Sequence, residues 1–282
     1  MRPIKPELNK MLIVTLLLIA SGAAHSSCQD GWVCVDDVRT GDKLELRARN
    51  LQDFPLTYTL QVESASYSVE GPSTVTRTLR PQQAETAVLM QLRDGMQVGD
   101  YDWKLEWAVG VYDANHDDDH LYAFPYAPGC SFRIMQGFGS RFSHAGIEEY
   151  ALDFEMPVGT PVHAARSGVV ARVQAGSSLG CFYAGCGRYA NFIVVLHSDG
   201  TTGEYYHLQQ DGAFVATGDS VARGQLIGLS GNTGYTASPH LHFAVYRATN
   251  NGETQSVPIR FQSAIGVISR PRSGGIHQAA FP

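Results

Sequence analysis

Short runs in which apolar and polar residues alternate, each closed by glycine, proline or an Asp-Gly pair, constrain this chain more than any other feature. Leu44-Glu45-Leu46-Arg47-Ala48-Arg49 alternates, and so does Leu56-Thr57-Tyr58-Thr59-Leu60-Gln61-Val62. Segments at 74–79, 86–92 and 101–111 follow, with turn breaks at Gly71-Pro72 and Asp94-Gly95. Successive side chains of a strand point to opposite faces, so each run can bury one face as a strand and offers no helical stripe. The expected fold class is all-β. Residues 28–112 read as a small antiparallel β-sandwich-like domain, and nothing in that half presents a catalytic constellation.

At 282 residues the chain is long for one core and suits two domains. Residues 113–129 (DANHDDDHLYAFPYAPG) are expected to join them as a solvated linker, since charge runs usually face water. The acidic residues there do not make a calcium loop, because Asp118 stands where an EF-hand needs Gly and no Glu closes the loop. His116 and His120 are read as linker residues. Residues 130–265 are again strand- and turn-rich, with segments such as NFIVVLH (191–197) and HLHFAVY (240–246) punctuated by glycines. Residues 266–282, with Gly274-Gly275, read as a loosely ordered tail.

The first 26 residues read as a signal peptide. Arg2, Lys5 and Lys10 precede the apolar run at 11–20 (MLIVTLLLIA), and small residues follow, with cleavage expected after Ala24 or Ser26. The run is short of the ~20 residues a spanning helix needs, and no later segment could cross a bilayer. Export to the periplasm or the medium is therefore expected. Lipidation of Cys28 is an alternative, but His25 stands where a lipoprotein signal has an aliphatic residue. The formal net charge of −6 and the lack of a Lys/Arg cluster argue against nucleic acid as a partner.

An exported chain meets an oxidising compartment, so its five cysteines can pair. Cys28/Cys34 and Cys181/Cys186 are the close pairs, read as loop staples, with Cys130 left over. Were Cys28 lipidated, Cys34 and Cys130 would be the remaining couple.

Metal ligands have few sources. His240-Leu241-His242 lies on a strand-like stretch, where residues two apart share a face. Tyr205-Tyr206-His207 ends another such segment, and His144 follows the glycine-rich run at 136–140. Asp153 is a lone charge within Ala151-Leu152-Asp153-Phe154, which is costly unless the carboxylate is paired or bound to metal. Two imidazoles and a carboxylate with an open fourth position make a catalytic zinc site, and further histidines could move protons. These residues alone do not say which His does which job. Tyr205, two before His207, is expected on the same side of the strand, where it would line the cleft and bind substrate. His163 and His197 are read as structural.

SHAGIEEYALDF (143–154), GTPVHAARSGVV (159–170), HSDGTTGEYYHL (197–208) and GDSVARGQLIGLSGNTGYTASPHLHF (218–243) resemble the successive blocks of the lysostaphin/LytM zinc endopeptidases. The resemblance covers roughly residues 130–260. It implies a LytM-type antiparallel β-sheet with a groove, one zinc ion per chain, and the peptide part of bacterial peptidoglycan as substrate. It also implies His144, Asp153 and His242 as ligands, with His207 and His240 as the non-ligand catalytic histidines. The familiar first block is HxxxD, whereas here Glu149 stands four before Asp153 and His144 nine before. His144 is preferred because His is the commoner partner of catalytic zinc. Two other classes compete: a non-catalytic LytM-type regulator that activates cell-wall amidases, and a cell-wall binding module in which the N-terminal half is the functional part.

Overall fold

A computed structural model describes residues 25–97, 99–140, 142–183 and 185–280. The leader expected over residues 1–26 lies, up to residue 24, outside the described residues. Its last two positions do not: His25 and Ser26 open a strand and pair with Asp37 and Asp36. Nearly every element is a strand, with only two short 3-10 turns among the described residues. No helix among them is long and apolar enough to cross a membrane. The chain divides into two compact units.

One unit holds residues 25–113 and 248–254. Its larger sheet orders His25–Gln29, Val33–Thr40, Lys43–Asn50, Ala84–Leu92 and Tyr67–Glu70, each antiparallel to its neighbour. The smaller sheet orders Thr74–Leu79, Leu56–Glu63 and Asp102–Val109, also antiparallel. The alternation read from the sequence has its physical cause here. Leu44, Leu46 and Ala48 are fully buried, while Lys43 and Arg47 face water. Trp32 stacks on Trp107 with ring centroids 4.9 Å apart. Cys28 and Cys34 face each other across the first two strands and are bridged, so in this state Cys28 has no thiol for a lipid. Cys181 and Cys186 form the second bridge, and Cys130 is free and exposed.

The other unit holds residues 114–247 and 255–280. Its nine-stranded sheet runs Ser220–Val221, Gly168–Gln174, Phe192–Leu196, Thr202–Tyr206, Leu241–Ala248, Leu152–Phe154, Ser131–Gln136 and Ile276–Gln278, with Thr254–Ser256 also on Leu241–Ala248. Phe192–Leu196 is buried along its whole length, which is why it reads as a continuous apolar run. Leu152, Phe154, Ile193, Val195, Leu241 and Phe243 form the centre of the core, all with no exposed surface.

Two boundary expectations fail against this unit. Within the expected linker, Tyr122, Phe124 and Tyr126 are core residues, and Leu121–Ala123 pairs in parallel with Arg260–Ser263. Phe124 stacks on Phe261 at 4.6 Å. The acidic stretch before them, Asp117 to Asp119, is exposed, as are Asp113, Asn115 and Pro128. The tail also has partners. Ile276–Gln278 pairs with Ser131–Gln136 and Ala279 is buried, so the chain end covers what would otherwise be an open sheet edge.

Candidate metal centre

The Leu241–Ala248 strand sorts its side chains by the pleat. Leu241, Phe243 and Val245 join the core, which turns His242, Ala244 and Tyr246 to the opposite face. On the neighbouring strand Asp153 stands opposite His242, held there because Leu152 and Phe154 are drawn into the same core. The Asp153 carboxylate thus meets His242, with Oδ1 2.9 Å from Nδ1. The same oxygen lies 3.3 Å from His144 Nε2 and 3.8 Å from His240 Nε2. Gln136 donates from Nε2 to the other oxygen at 2.5 Å and also to Ser143 Oγ at 2.9 Å, which fixes the rotation of the carboxylate.

One ligand atom from each of His144, Asp153 and His242 lies within 4.8 Å of the others. His144 is 1% exposed, and neither of its ring nitrogens has a hydrogen-bond partner. A buried imidazole without partners is costly. A cation beside it would satisfy one nitrogen, so the donor set fits a metal ion. Glu149, the other candidate, is exposed and outside the group. The extra residues between His144 and Asp153 are taken up by a 3-10 turn over Gly146–Glu148, which lets a nine-residue spacing reach the same place as a shorter one. Burial works to raise the Asp153 carboxyl, but the His144 and His242 imidazoles together outweigh it and hold the group well below the usual carboxylate range. Burial pushes the His242 imidazole down, but Asp153 beside it outweighs that, so the net direction is up.

His207 and His240 stand next to this group, their ring centroids 4.5 Å apart. His207 donates from Nδ1 to the Thr233 carbonyl at 2.7 Å, and His240 from Nδ1 to the Ser238 carbonyl at 2.8 Å. A carbonyl can only accept, so both rings carry their proton on Nδ1 and leave the Nε2 lone pair free. Burial, then the neighbouring His240 and His242 rings, push the His207 imidazole down to about 3. Thr233 is itself pinned, donating to the Leu208 carbonyl and accepting from the Asn191 amide. The turn after it needs glycine: Gly234 has φ +84°, and a Cβ there would meet Ala190 Cβ at 2.5 Å. The stapled loop packs beside this turn, with Phe182 stacked on Tyr235 at 4.9 Å. A cavity of about 390 Å³ adjoins the turn, lined by Val158, Ser178, Gln209, Gln210, Asn232 and Thr233 among others.

Tyr205 is not in the cleft. It is fully buried against Phe243, and its hydroxyl accepts from the Ala165 amide. The two-residue rule fails because the strand ends at Tyr206 and His207 takes φ +65°, which breaks the alternation just before the histidine. Tyr206 therefore shares the site's face, opposite His242 in the register. His163 and His197 lie outside the group, bonded to the Gly224 carbonyl and Thr201 respectively. Three contributors escaped the sequence reading. Tyr246 was legible as the residue four beyond His242 on one strand face, whereas Gln136 and Glu148 reach the site through contacts that no local pattern signals.

Residues 148–256 match Peptidase family M23. The peptidoglycan DD-endopeptidase ShyA of Vibrio cholerae is 36% identical over 136 residues, covering 47% of this chain and 29% of that protein. Lysostaphin of Staphylococcus simulans is 38% identical over 122 residues, covering 43% of this chain and 22% of that protein. The chain thus spans less than a third of the length of either relative. A solved structure of the Staphylococcus simulans lysostaphin is 33% identical and covers 44% of this chain and 47% of that one, with a TM-score of 0.34. The segment similar to Peptidase family M23, residues 148–256, takes in Asp153, His207, His240 and His242.

Proposed function

We propose that this protein is an exported, zinc-dependent endopeptidase that hydrolyses peptide bonds in bacterial peptidoglycan. The observation that carries the reading is the group of His144, Asp153 and His242, in which the His144 imidazole is buried with neither nitrogen hydrogen-bonded and Nε2 3.3 Å from Asp153 Oδ1. Two imidazoles and a carboxylate leave a coordination position open, as catalytic zinc sites do. Glu149 is left out of the ligand set. The name of the Vibrio cholerae relative places that protein's action on peptidoglycan, and the substrate class is proposed by that likeness.

His144, Asp153 and His242 would hold the ion. The chemistry it supplies when bound is the acidification of water and the polarisation of a carbonyl. The remaining work falls to the chain's own groups. His207, neutral and fixed by Thr233, presents the Nε2 lone pair that accepts a proton from the attacking water. His240, with Nδ1 held by Ser238, presents Nε2 on the Asp153 side and is the second histidine placed to exchange a proton with the reacting groups. Gln136 keeps the carboxylate in register for both ligands. The side chains named around the adjoining cavity are uncharged, with amide groups from Gln209, Gln210 and Asn232, which suits the neutral backbone of a peptide.

The purified protein is expected to release new amino termini from isolated peptidoglycan, to stop when a chelator strips the metal, and to recover on addition of zinc. Release that continues undiminished in the chelator, with zinc absent by elemental analysis, would refute the reading. Failure to release anything while zinc is bound would favour the regulatory alternative.

A further inference from the structure

We infer that Glu148 and Tyr246 are positioning residues that set the orientation of His242 for the metal, an inference that rests on the zinc reading above. The Tyr246 hydroxyl lies 3.2 Å from His242 Nε2 and donates to Glu148 Oε2 at 2.6 Å. Glu148 Oε2 is itself 3.9 Å from His242 Nε2. His242 directs Nδ1 at Asp153, so Nε2 is the nitrogen left for an outer partner. The donors then run in one direction: Nε2–H of His242 to the tyrosine oxygen, and the tyrosine O–H to the carboxylate. A ligand histidine whose second nitrogen is held in this way has its ring rotation and tautomer fixed, and its basicity raised.

Two features make this a built arrangement. Tyr246 is 3% exposed and packs with Ala151 and Ala244, so its ring cannot swing away from His242. Glu148 is the last residue of the 3-10 turn that fills the long spacing between His144 and Asp153. The same insertion that separates this chain from the HxxxD pattern thus delivers the carboxylate behind the third ligand. Glu149, next to it, is exposed and outside the group.

The test is zinc affinity of the purified protein, read by competition with a chromophoric chelator. Tyr246→Phe keeps the ring and removes only the hydroxyl. It and Glu148→Ala are each expected to weaken zinc binding about 10–100-fold. The double variant should be no weaker than Tyr246→Phe alone, because Glu148 acts through the tyrosine. Glu148→Gln, which keeps an acceptor oxygen for the hydroxyl, should recover part of the loss. Wild-type affinity in both single variants would overturn the inference and leave the zinc reading standing. Fully additive losses in the double variant would overturn the serial arrangement. A wild-type protein that binds no zinc would overturn both.

Discussion

Replacing His207 with alanine is expected to leave zinc bound and to lower turnover by about 10²–10⁴-fold, the usual contribution of a positioned general base. The expectation follows from how the ring is held. Its Nδ1 proton is committed to the Thr233 carbonyl, and burial with two imidazole neighbours keeps the ring neutral, so the Nε2 lone pair stays free to take a proton. His207 is outside the group of three ligand atoms, so its loss removes no donor to the metal. The measurement is kcat on isolated peptidoglycan together with zinc per chain. Unchanged kcat with zinc retained would remove His207 from the chemistry, and loss of zinc would make it a ligand.

His242→Ala should behave differently, losing zinc and turnover together. The substitution takes one of three donors and leaves Asp153 with His144 as its one remaining ligand neighbour. The electrophilic help of a metal is worth several kcal/mol, and each 1.4 kcal/mol is a factor of ten, so turnover should fall by at least about 10³-fold. The contrast between the two variants separates a metal donor from a proton carrier. A His242→Ala protein that keeps both full zinc and most of its turnover would contradict the ligand assignment.

Much of this arrangement is legible in the sequence, and the reasons are local. Lys43-Leu44-Glu45-Leu46-Arg47-Ala48 buries its apolar residues and exposes Lys43 and Arg47, as a half-buried strand must. Asp153 betrayed itself as a charge among apolar residues, and the structure puts it opposite His242 on the next strand. The failures have three separate causes. The acidic run at Asp117 to Asp119 is a stronger local signal than the period-two aromatics Tyr122, Phe124 and Tyr126, which are core. The alternation assumed for Tyr205 and His207 stops at a backbone turn to positive φ that a histidine does not advertise. Glu148 could not be read at all, because its partner Tyr246 is 98 residues away and joins it only through the sheet.

The HxxxD departure bears on the spatial reading as well. Glu149 has the right sequence spacing and is exposed, whereas His144 has the wrong spacing and is buried beside Asp153. Position in space is what a metal reads, and the 3-10 turn over Gly146–Glu148 reconciles the two. The most direct measurement is therefore zinc per chain in the wild type, His144→Ala and Glu149→Ala. One zinc in the wild type and in Glu149→Ala, with none in His144→Ala, is the expected result. Zinc kept in His144→Ala and lost in Glu149→Ala would contradict it.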